Sequence, residues 1–363
     1  MENDMNWKLE LEEYIRQGEP GRAEKSAAWQ TAIGLQAVDG LKTSEYLLET
    51  AKDHIEGNID MSAAKQRIQS YYEEHNKRKA VEDSTKEADI VSVRIAELLS
   101  EKTFQFSPAE LQSIHRRLFT EVFDHAGEFR TYNITKKEWV LNGQTVLYAS
   151  YGSIKDTLDY DFAQEKLFSY DGLSVQAAVK HIAKFASGIW QIHPFCEGNT
   201  RSTAVFIIMY LKTFGFHVNN DVFAENSWYF RNALVRANYN DLKNGIHATT
   251  EYLELFFDNL LMDSNHELKN RYTHIDFSAK EAPQSAAVDV SKCKNCTLNC
   301  TLEELALLRE ISLHPKSTQK ALAAAVGKSE RTIKMRTVSL QEKGYIRRVN
   351  GKRNGYWEVL VQL

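Results

Sequence analysis

The chain has 363 residues, of which 43% are hydrophobic and 26% charged, and a formal net charge of −4. This composition is ordinary for a soluble globular protein, and the length predicts two or three domains. No apolar run reaches membrane-spanning length, and the first residues lack the basic start of a secretion signal, so we expect a cytoplasmic protein without disulfides.

The charge is unevenly distributed along the chain. Residues 301–363 contain 12 Lys and Arg against 6 Asp and Glu, a net charge of +6, which leaves −10 for residues 1–300. A basic C-terminal domain on an acidic body predicts that the two parts bind different partners.

Residues 1–80 are predicted to form a helical N-terminal region. An apolar stripe across residues 27–38 indicates one helix, and a second helix, capped by Thr43 or Ser44, ends at Gly57-Asn58. Glu56 lies in the last turn of the second helix, where a carboxylate opposes the helix dipole. This position favours a specific cationic partner for Glu56, and a solvated surface residue is the alternative.

Residues 81–263 are predicted to form a mostly helical central domain. Residues 131–149 depart from the helical pattern, because two runs of strand-forming residues flank Asn142-Gly143, the strongest two-residue hairpin signal. The sequence therefore predicts a β-hairpin, whose free edge could pair with an extended peptide.

The run from His193 to Arg201, with the sequence HPFCEGNTR, combines groups suited to a phosphate site. The apolar run 204–211 that follows is typical of a buried helix, so the amides near Gly198 and Asn199 would lie at a helix N-terminus. Unpaired N–H groups at such a terminus bind anions, and the guanidinium of Arg201 matches phosphate oxygens.

Two further groups in this run point to chemistry. Glu197 is the hard oxygen ligand that a phosphate-bound magnesium ion needs, and His193 accepts a proton near neutral pH. An ordinary loop between two core helices is the alternative interpretation.

Residues 264–300 are predicted to be a linker. Cys293, Cys296 and Cys300 lie within eight residues of each other and resemble half of a zinc site, but no fourth cysteine is nearby. Reduced, solvent-facing thiols are the alternative.

Residues 301–363 are predicted to form a winged helix, with a helix pair broken at Gly327 and a wing hairpin across 344–359. The basic tip of the wing favours contact with a DNA backbone, and a protein-docking module is the alternative.

The run at 193–201 resembles the signature of the Fic family, His-x-Phe-x-(Asp/Glu)-Gly-Asn-x-Arg, at every fixed position. The resemblance implies a mainly α fold, with a Fic-type helical core, a β-hairpin flap at 131–149, inhibitory N-terminal helices and the winged helix. It also implies magnesium-dependent transfer of AMP from ATP to a protein hydroxyl of Tyr, Thr or Ser (AMPylation). The implied roles are a base at His193, a magnesium ligand at Glu197, and phosphate contacts at Gly198, Asn199, Thr200 and Arg201.

The same resemblance extends to other parts of the chain. Residues from about 17 to 72 resemble a VbhA-type antitoxin segment, in which a Ser/Thr-x-x-x-Glu-Gly helix blocks the γ-phosphate. This implies that Glu56 inhibits the enzyme, although Lys52 stands where Ser or Thr is expected. By resemblance, Tyr229 and Asn232 contact adenine, and the flap docks the protein substrate.

One departure concerns the longer form of the Fic signature, which carries a second arginine where this chain has Ala204. That arginine anchors the γ-phosphate in the family, so Lys52 or Arg201 would have to replace it.

There are three alternatives to AMPylation: removal of AMP, another nucleotide donor, or a DNA-binding regulator that senses nucleotide without catalysis. The oligomeric state, including a homo-oligomer, is left open.

Overall fold

The computed structural model describes residues 9, 11–14, 20–75, 83–216, 222–277, 300–350 and 355–361. These residues are mainly helical, which confirms the predicted fold class. The helices are, in chain order, α1 (Pro20–Gly34), α2 (Glu45–Glu56), α3 (Met61–His75), α4 (Asp83–Ser100), α5 (Pro108–Phe119), α6 (Ile154–Leu167), α7 (Val175–Ile192), α8 (Asn199–Thr213), α9 (Val222–Ala237), α10 (Glu251–Met262), α11 (Asn270–Thr273), α12 (Leu302–Leu313), α13 (Gln319–Ala325) and α14 (Glu330–Glu342). Short 3-10 turns occur at Leu35–Asp39, Trp139–Leu141, Tyr151–Ser153 and Leu242–Asn244.

The N-terminal helices pack directly on the central helices. Gly34, at the end of α1, lies against α9 so closely that a β-carbon there would sit 2.6 Å from the carbonyl oxygen of Ala224. The Ser227 hydroxyl donates a hydrogen bond to the carbonyl of Gly34 over 2.8 Å. This contact brings the turn Leu35–Asp39 against α8 and α9.

Helices α7 and α8 form the centre of the core. The apolar residues predicted for a buried helix are indeed buried in α8, where the whole stretch from 199 to 211 is shielded from solvent. Phe206 of α8 contacts Phe104, Phe106 and Phe162 edge-on or tilted, geometries that aromatic rings prefer. The loop that joins α7 to α8 is therefore held between two rigid helices.

The flap, residues 131–149, is not the β-hairpin that the sequence predicts. Its turn is correct, since Asn142 and Gly143 have φ values of 54° and 80° and the Gln144 N–H bonds to the carbonyl of Leu141 at 3.0 Å. The flanking residues, however, form a 3-10 turn and extended loops without strands. The Glu138 N–H still bonds across the turn to the carbonyl of Gln144 at 2.9 Å, but other flap groups bond to the body of the protein, as the Val140 carbonyl does with the Ile275 N–H at 2.9 Å.

The C-terminal residues form the predicted winged helix. Helices α12, α13 and α14 are followed by β1 (Ile346–Val349) and β2 (Tyr356–Val359), which pair antiparallel. A capping box at the start of α12 joins Thr301 and Glu304. The domain packs on the central helices, where the Arg309 side chain pairs with Asp263.

Two further predictions concern the cysteine cluster and the absence of membrane-spanning helices. Cys293 and Cys296 lie outside the described residues, and Cys300 is buried, which raises the pKa of its thiol to about 12. Within the described ranges, no helix is both long and apolar enough to cross a bilayer.

Candidate active site

His193 ends α7 in a left-handed backbone conformation, with φ 48°. Its Nδ1 lies 3.3 Å from the carbonyl oxygen of Trp190, so Nδ1 carries the proton that this bond requires. Its Nε2 is buried and has no hydrogen-bond partner among the described residues. Nε2 is therefore the nitrogen with a lone pair to accept a proton.

The surroundings of His193 keep its ring neutral. Burial lowers the pKa of His193 well below its usual value, and the positive charge of Lys136 lowers it further. The Tyr148 ring lies over the imidazole with 4.3 Å between centroids. The Arg130 guanidinium fixes the backbone by donating from Nε to the carbonyl of His193 over 2.8 Å.

Gly198 begins α8 with φ 73°, a conformation that favours glycine. A β-carbon at this position would lie 2.5 Å from Cζ of Phe119, so only glycine fits against this ring. The first N–H groups of α8 thus have the positions of an anion-binding helix terminus.

The side chains of Asn199 and Thr200 brace the loop between α7 and α8. The Asn199 amide accepts from the Phe195 N–H at 3.0 Å and donates to the Phe195 carbonyl at 2.8 Å. The Thr200 hydroxyl accepts from Nε1 of Trp190 at 3.0 Å. These bonds hold the first turn of α8 in place, and the Thr200 hydroxyl, which accepts in its bond, still has its own proton to donate.

His115 supports the same loop from below. Its Nδ1 accepts from the Gly127 N–H at 2.8 Å, so its Nε2 donates to the carbonyl of Glu197 at 3.0 Å. Burial lowers the pKa of His115 to about 4, so its ring is neutral near neutral pH. A neutral ring can accept at Nδ1 while it donates from Nε2. No sequence pattern pointed to this residue, because its role depends on a contact 82 positions away.

Arg201 is almost fully buried and contacts the N-terminal region. Its guanidinium lies 2.7 Å from a carboxylate oxygen of Asp39, 2.7 Å from one of Glu87, and 3.1 Å from the amide oxygen of Gln36. The Phe119 ring stacks beneath it at 4.8 Å. Two carboxylates thus already compensate the charge that was predicted to bind phosphate.

Glu56, the predicted inhibitory residue, lies elsewhere. Its carboxylate accepts hydrogen bonds from the Tyr14 hydroxyl and, at 3.2 Å, from the Asn58 amide. The sequence contained a signal for another candidate, because Asp39-Gly40 repeats the acid-glycine pattern of Glu56-Gly57 and both glycines have positive φ. Of these two acidic residues, Asp39 is the one that lies beside Arg201.

Glu197 has an exposed carboxylate that pairs with the Lys136 ammonium at 2.9 Å. A single exposed carboxylate fits a magnesium ion that brings its own phosphate and water ligands. A metal held by protein alone does not fit, since no group of three or more His, Cys, Asp or Glu in the described part of the chain could hold one.

A small cavity lies at the junction of α7 and α8. Its lining residues are Asp39, Lys136, Trp190, His193, Gly198, Asn199, Thr200 and Arg231. Its volume is about 10 Å³, far below the roughly 300–1,000 Å³ of most ligand pockets. Among the described residues that line it, two carry positive charge and one, Asp39, carries negative charge.

Six residues that the sequence predicted for the site are not among the lining residues of this cavity: Glu56, Glu197, Arg201, Tyr229, Asn232 and the proposed substitute Lys52. Tyr229 is buried in the core, Asn232 donates from its amide to Oδ1 of Asn270 at 2.8 Å, and Lys52 is exposed on α2. Contact of Tyr229 and Asn232 with adenine stays a prediction.

Two known families match separate parts of the chain. Residues 105–211 match the Fic/DOC family, and residues 304–347 match the winged helix-turn-helix DNA-binding family. The chain is 24% identical over 251 residues to protein adenylyltransferase VbhT of Bartonella schoenbuchensis, an alignment that covers 63% of this chain and 50% of VbhT. It therefore spans about half the length of this curated relative.

Two solved structures are similar at 14% identity. A Fic family protein from Desulfovibrio desulfuricans has a TM-score of 0.44, with 99% of this chain and 96% of that chain covered. A Fic domain containing signaling protein from Bacteroides thetaiotaomicron has a TM-score of 0.40, with 89% and 97% covered. On the two family matches, this chain carries a Fic/DOC family domain followed by a winged helix-turn-helix domain.

Proposed function

We propose that the protein is a magnesium-dependent adenylyltransferase that moves AMP from ATP to a protein hydroxyl and is restrained by its own N-terminal region. The observation that carries the proposal is the buried, unpartnered Nε2 of His193 beside the N-terminus of α8. The Fic/DOC match and the adenylyltransferase relative support the same activity.

In the proposed reaction, Nε2 of His193 takes the proton from a Tyr, Thr or Ser hydroxyl. The hydroxyl oxygen bonds to the α-phosphorus as the bond from that phosphorus to pyrophosphate breaks. The N–H groups at the start of α8 and the guanidinium of Arg201 stabilise the phosphate charge. Magnesium, held by Glu197 and the phosphates, would neutralise the departing pyrophosphate.

The proposed restraint acts through Asp39 rather than Glu56. Asp39 lies 2.7 Å from Nε of Arg201 and lines the cavity with His193. The Asp39 carboxylate thus compensates the guanidinium charge that nucleotide phosphates need. It also takes up part of the space for those phosphates. ATP must displace this pair, in which Arg201 is buried and Asp39 is partly exposed.

The test is transfer of label from ATP labelled on the α-phosphate, with magnesium, by the wild type, Asp39→Asn and Glu56→Gln. We expect Asp39→Asn to label the protein itself or added target proteins at least about tenfold faster than the wild type, because it removes a charge-assisted contact. Glu56→Gln is the matched control and should behave as the wild type.

The result has clear alternatives. Activation by Glu56→Gln alone would contradict the assignment of Asp39. Absence of label from all three proteins would contradict adenylyl transfer and favour another nucleotide donor or a nucleotide sensor. Loss of label from a pre-labelled target would favour removal of AMP.

We further propose DNA as the partner of the winged helix, which the family match supports. Arg331 and Lys334 are exposed on α14, whereas Arg336 and Lys343, on and just after this helix, pair with acidic residues of α12. The exposed pair is therefore the available source of phosphate contacts on the described part of this helix.

The double change Arg331→Gln with Lys334→Gln should weaken binding to duplex DNA and reduce the slope of log affinity against log salt by about two. Fluorescence anisotropy at several salt concentrations measures both, and Lys243→Gln, an exposed lysine of the central domain, is the control. An unchanged slope, or no binding at low salt, would contradict DNA and favour a protein partner.

A further inference from the structure

The missing second arginine of the Fic signature leaves α8 with too few cations for a triphosphate. Ala204 is fully buried in the core and cannot contact a ligand. Besides Arg201, the other cation of α8 is Lys212, which lies in its last turn and donates to the carbonyl of Leu99. A second phosphate-binding cation must therefore come from another element.

Arg231 of α9 is placed to supply it. It lines the same cavity as His193 and the start of α8, and its side chain is 16% exposed. Its positive charge also lowers the pKa of His193, in agreement with a position close to the reacting groups. Lys52, the substitute considered from the sequence, is exposed on α2 and is not among the lining residues described for this cavity.

The orientation of Arg231 is fixed before any ligand binds. One terminal nitrogen donates a hydrogen bond to Oε1 of Glu138 over 3.1 Å, and the other lies 2.8 Å from Oε2 as an ion pair. The Trp228 ring lies 5.2 Å from the guanidinium carbon. The hydrogen bond to Glu138 uses one of the five N–H donors of arginine, so Glu138 leaves most of the guanidinium donors for a ligand.

Lys136 also lines the cavity but differs from Arg231 in its partner. Its ammonium pairs with Glu197, the proposed magnesium ligand, on an exposed part of the flap. Glu138, the partner of Arg231, is fully buried instead, and burial raises its pKa. Glu138 is therefore a positioning residue that orients Arg231. Arg231 is the residue that would contact the ligand.

We infer that Arg231 is the second phosphate-binding residue of this site and contacts the phosphates beyond the α-phosphate of ATP. The inference rests on the proposed function. Arg231 of α9, oriented by Glu138, takes the role of the arginine that the longer Fic signature has at the position of Ala204.

The test is equilibrium binding of magnesium-ATP and of AMP by calorimetry, in the Asp39→Asn background that opens the site. Arg231→Gln should weaken ATP binding by about 10- to 100-fold, the loss expected for a charged hydrogen bond, and leave AMP binding within twofold. Arg231→Lys should recover part of the ATP affinity. Lys52→Ala is the control and should match the parent.

Removing Arg231 leaves Glu138 buried without its partner, which could unfold the protein. The double change Arg231→Gln with Glu138→Gln removes both charges and keeps two amides that can hydrogen bond. It should show the same selective loss of ATP affinity with a melting temperature near that of the parent.

Two results would overturn the inference: ATP affinity within twofold of the parent, or equal losses for ATP and AMP. The proposed function fails separately, if the Asp39→Asn parent binds ATP but transfers no label. If that parent binds no ATP, both fall.

Discussion

His193→Ala should reduce AMP transfer by about 10²- to 10⁴-fold in the Asp39→Asn background, while ATP binding is retained. The reason is that His193 lines the cavity and its Nε2 has no hydrogen-bond partner among the described residues, whereas the proposed phosphate contacts come from other residues. Initial rates with labelled ATP measure the transfer, and calorimetry measures the binding.

His193→Asn is the matched control for the backbone. His193 has φ 48°, and asparagine tolerates this conformation better than alanine. Both variants should lose transfer equally if the imidazole is the base. Full activity of His193→Asn would show that the residue serves the backbone alone.

The same residue predicts how transfer depends on pH. Burial and the charge of Lys136 lower the pKa of His193, so the ring stays neutral well below pH 6.5. Transfer should be constant around neutral pH and fall only as the pH drops through this lowered pKa, because protonation removes the base. A plot of kcat/KM against pH reports this pKa for the free enzyme, and an acid limb at or above 6.5 would contradict it.

Gly198→Ala should abolish ATP binding and destabilise the protein by about 1–3 kcal/mol. The new β-carbon would lie 2.5 Å from Cζ of Phe119, and φ 73° disfavours alanine. The loop and the first turn of α8 must shift, which moves the N–H groups away from the phosphates. Calorimetry with ATP and a denaturant midpoint measure the two effects.

The control is Gly152→Ala. Gly152 lies in the turn Tyr151–Ser153, and a β-carbon added there would have no heavy atom within 4 Å. This substitution should change neither ATP affinity nor the denaturant midpoint by more than a small amount. Normal ATP binding by Gly198→Ala would contradict the anion site at the start of α8.

The sequence predicted the local parts of this molecule and missed the long-range ones. The groups from His193 to Arg201 were found because they lie in nine residues, and the cap at Ser44 because capping is local. Each winged-helix element likewise follows from short patterns of apolar residues and turns.

The contacts of Arg201 could not be predicted in this way. Gln36 lies 165 residues before it, and a pattern of acid and glycine does not say which of two such pairs faces the site. Only the close packing of Gly34 on α9 decides that Asp39, rather than Glu56, reaches Arg201.

The prediction of a β-hairpin for the flap was wrong for a different reason. Its residues favour strands, but preference for a strand has little effect when the backbone finds other partners. Val140 and Ala149 bond to Ile275 and Gln191, outside the flap, and the buried Val146 and Tyr148 pack on the core.

Asp39 and Arg201 belong to the same chain, and this has a consequence for how their contact can be broken. A tethered group acts at an effective concentration that reaches the millimolar range for short flexible linkers and does not depend on how much protein is present. Dilution, which would dissociate a separate inhibitor, therefore leaves this ion pair intact. Release requires ATP to compete for the guanidinium or a second molecule to pull the turn Leu35–Asp39 away from α8.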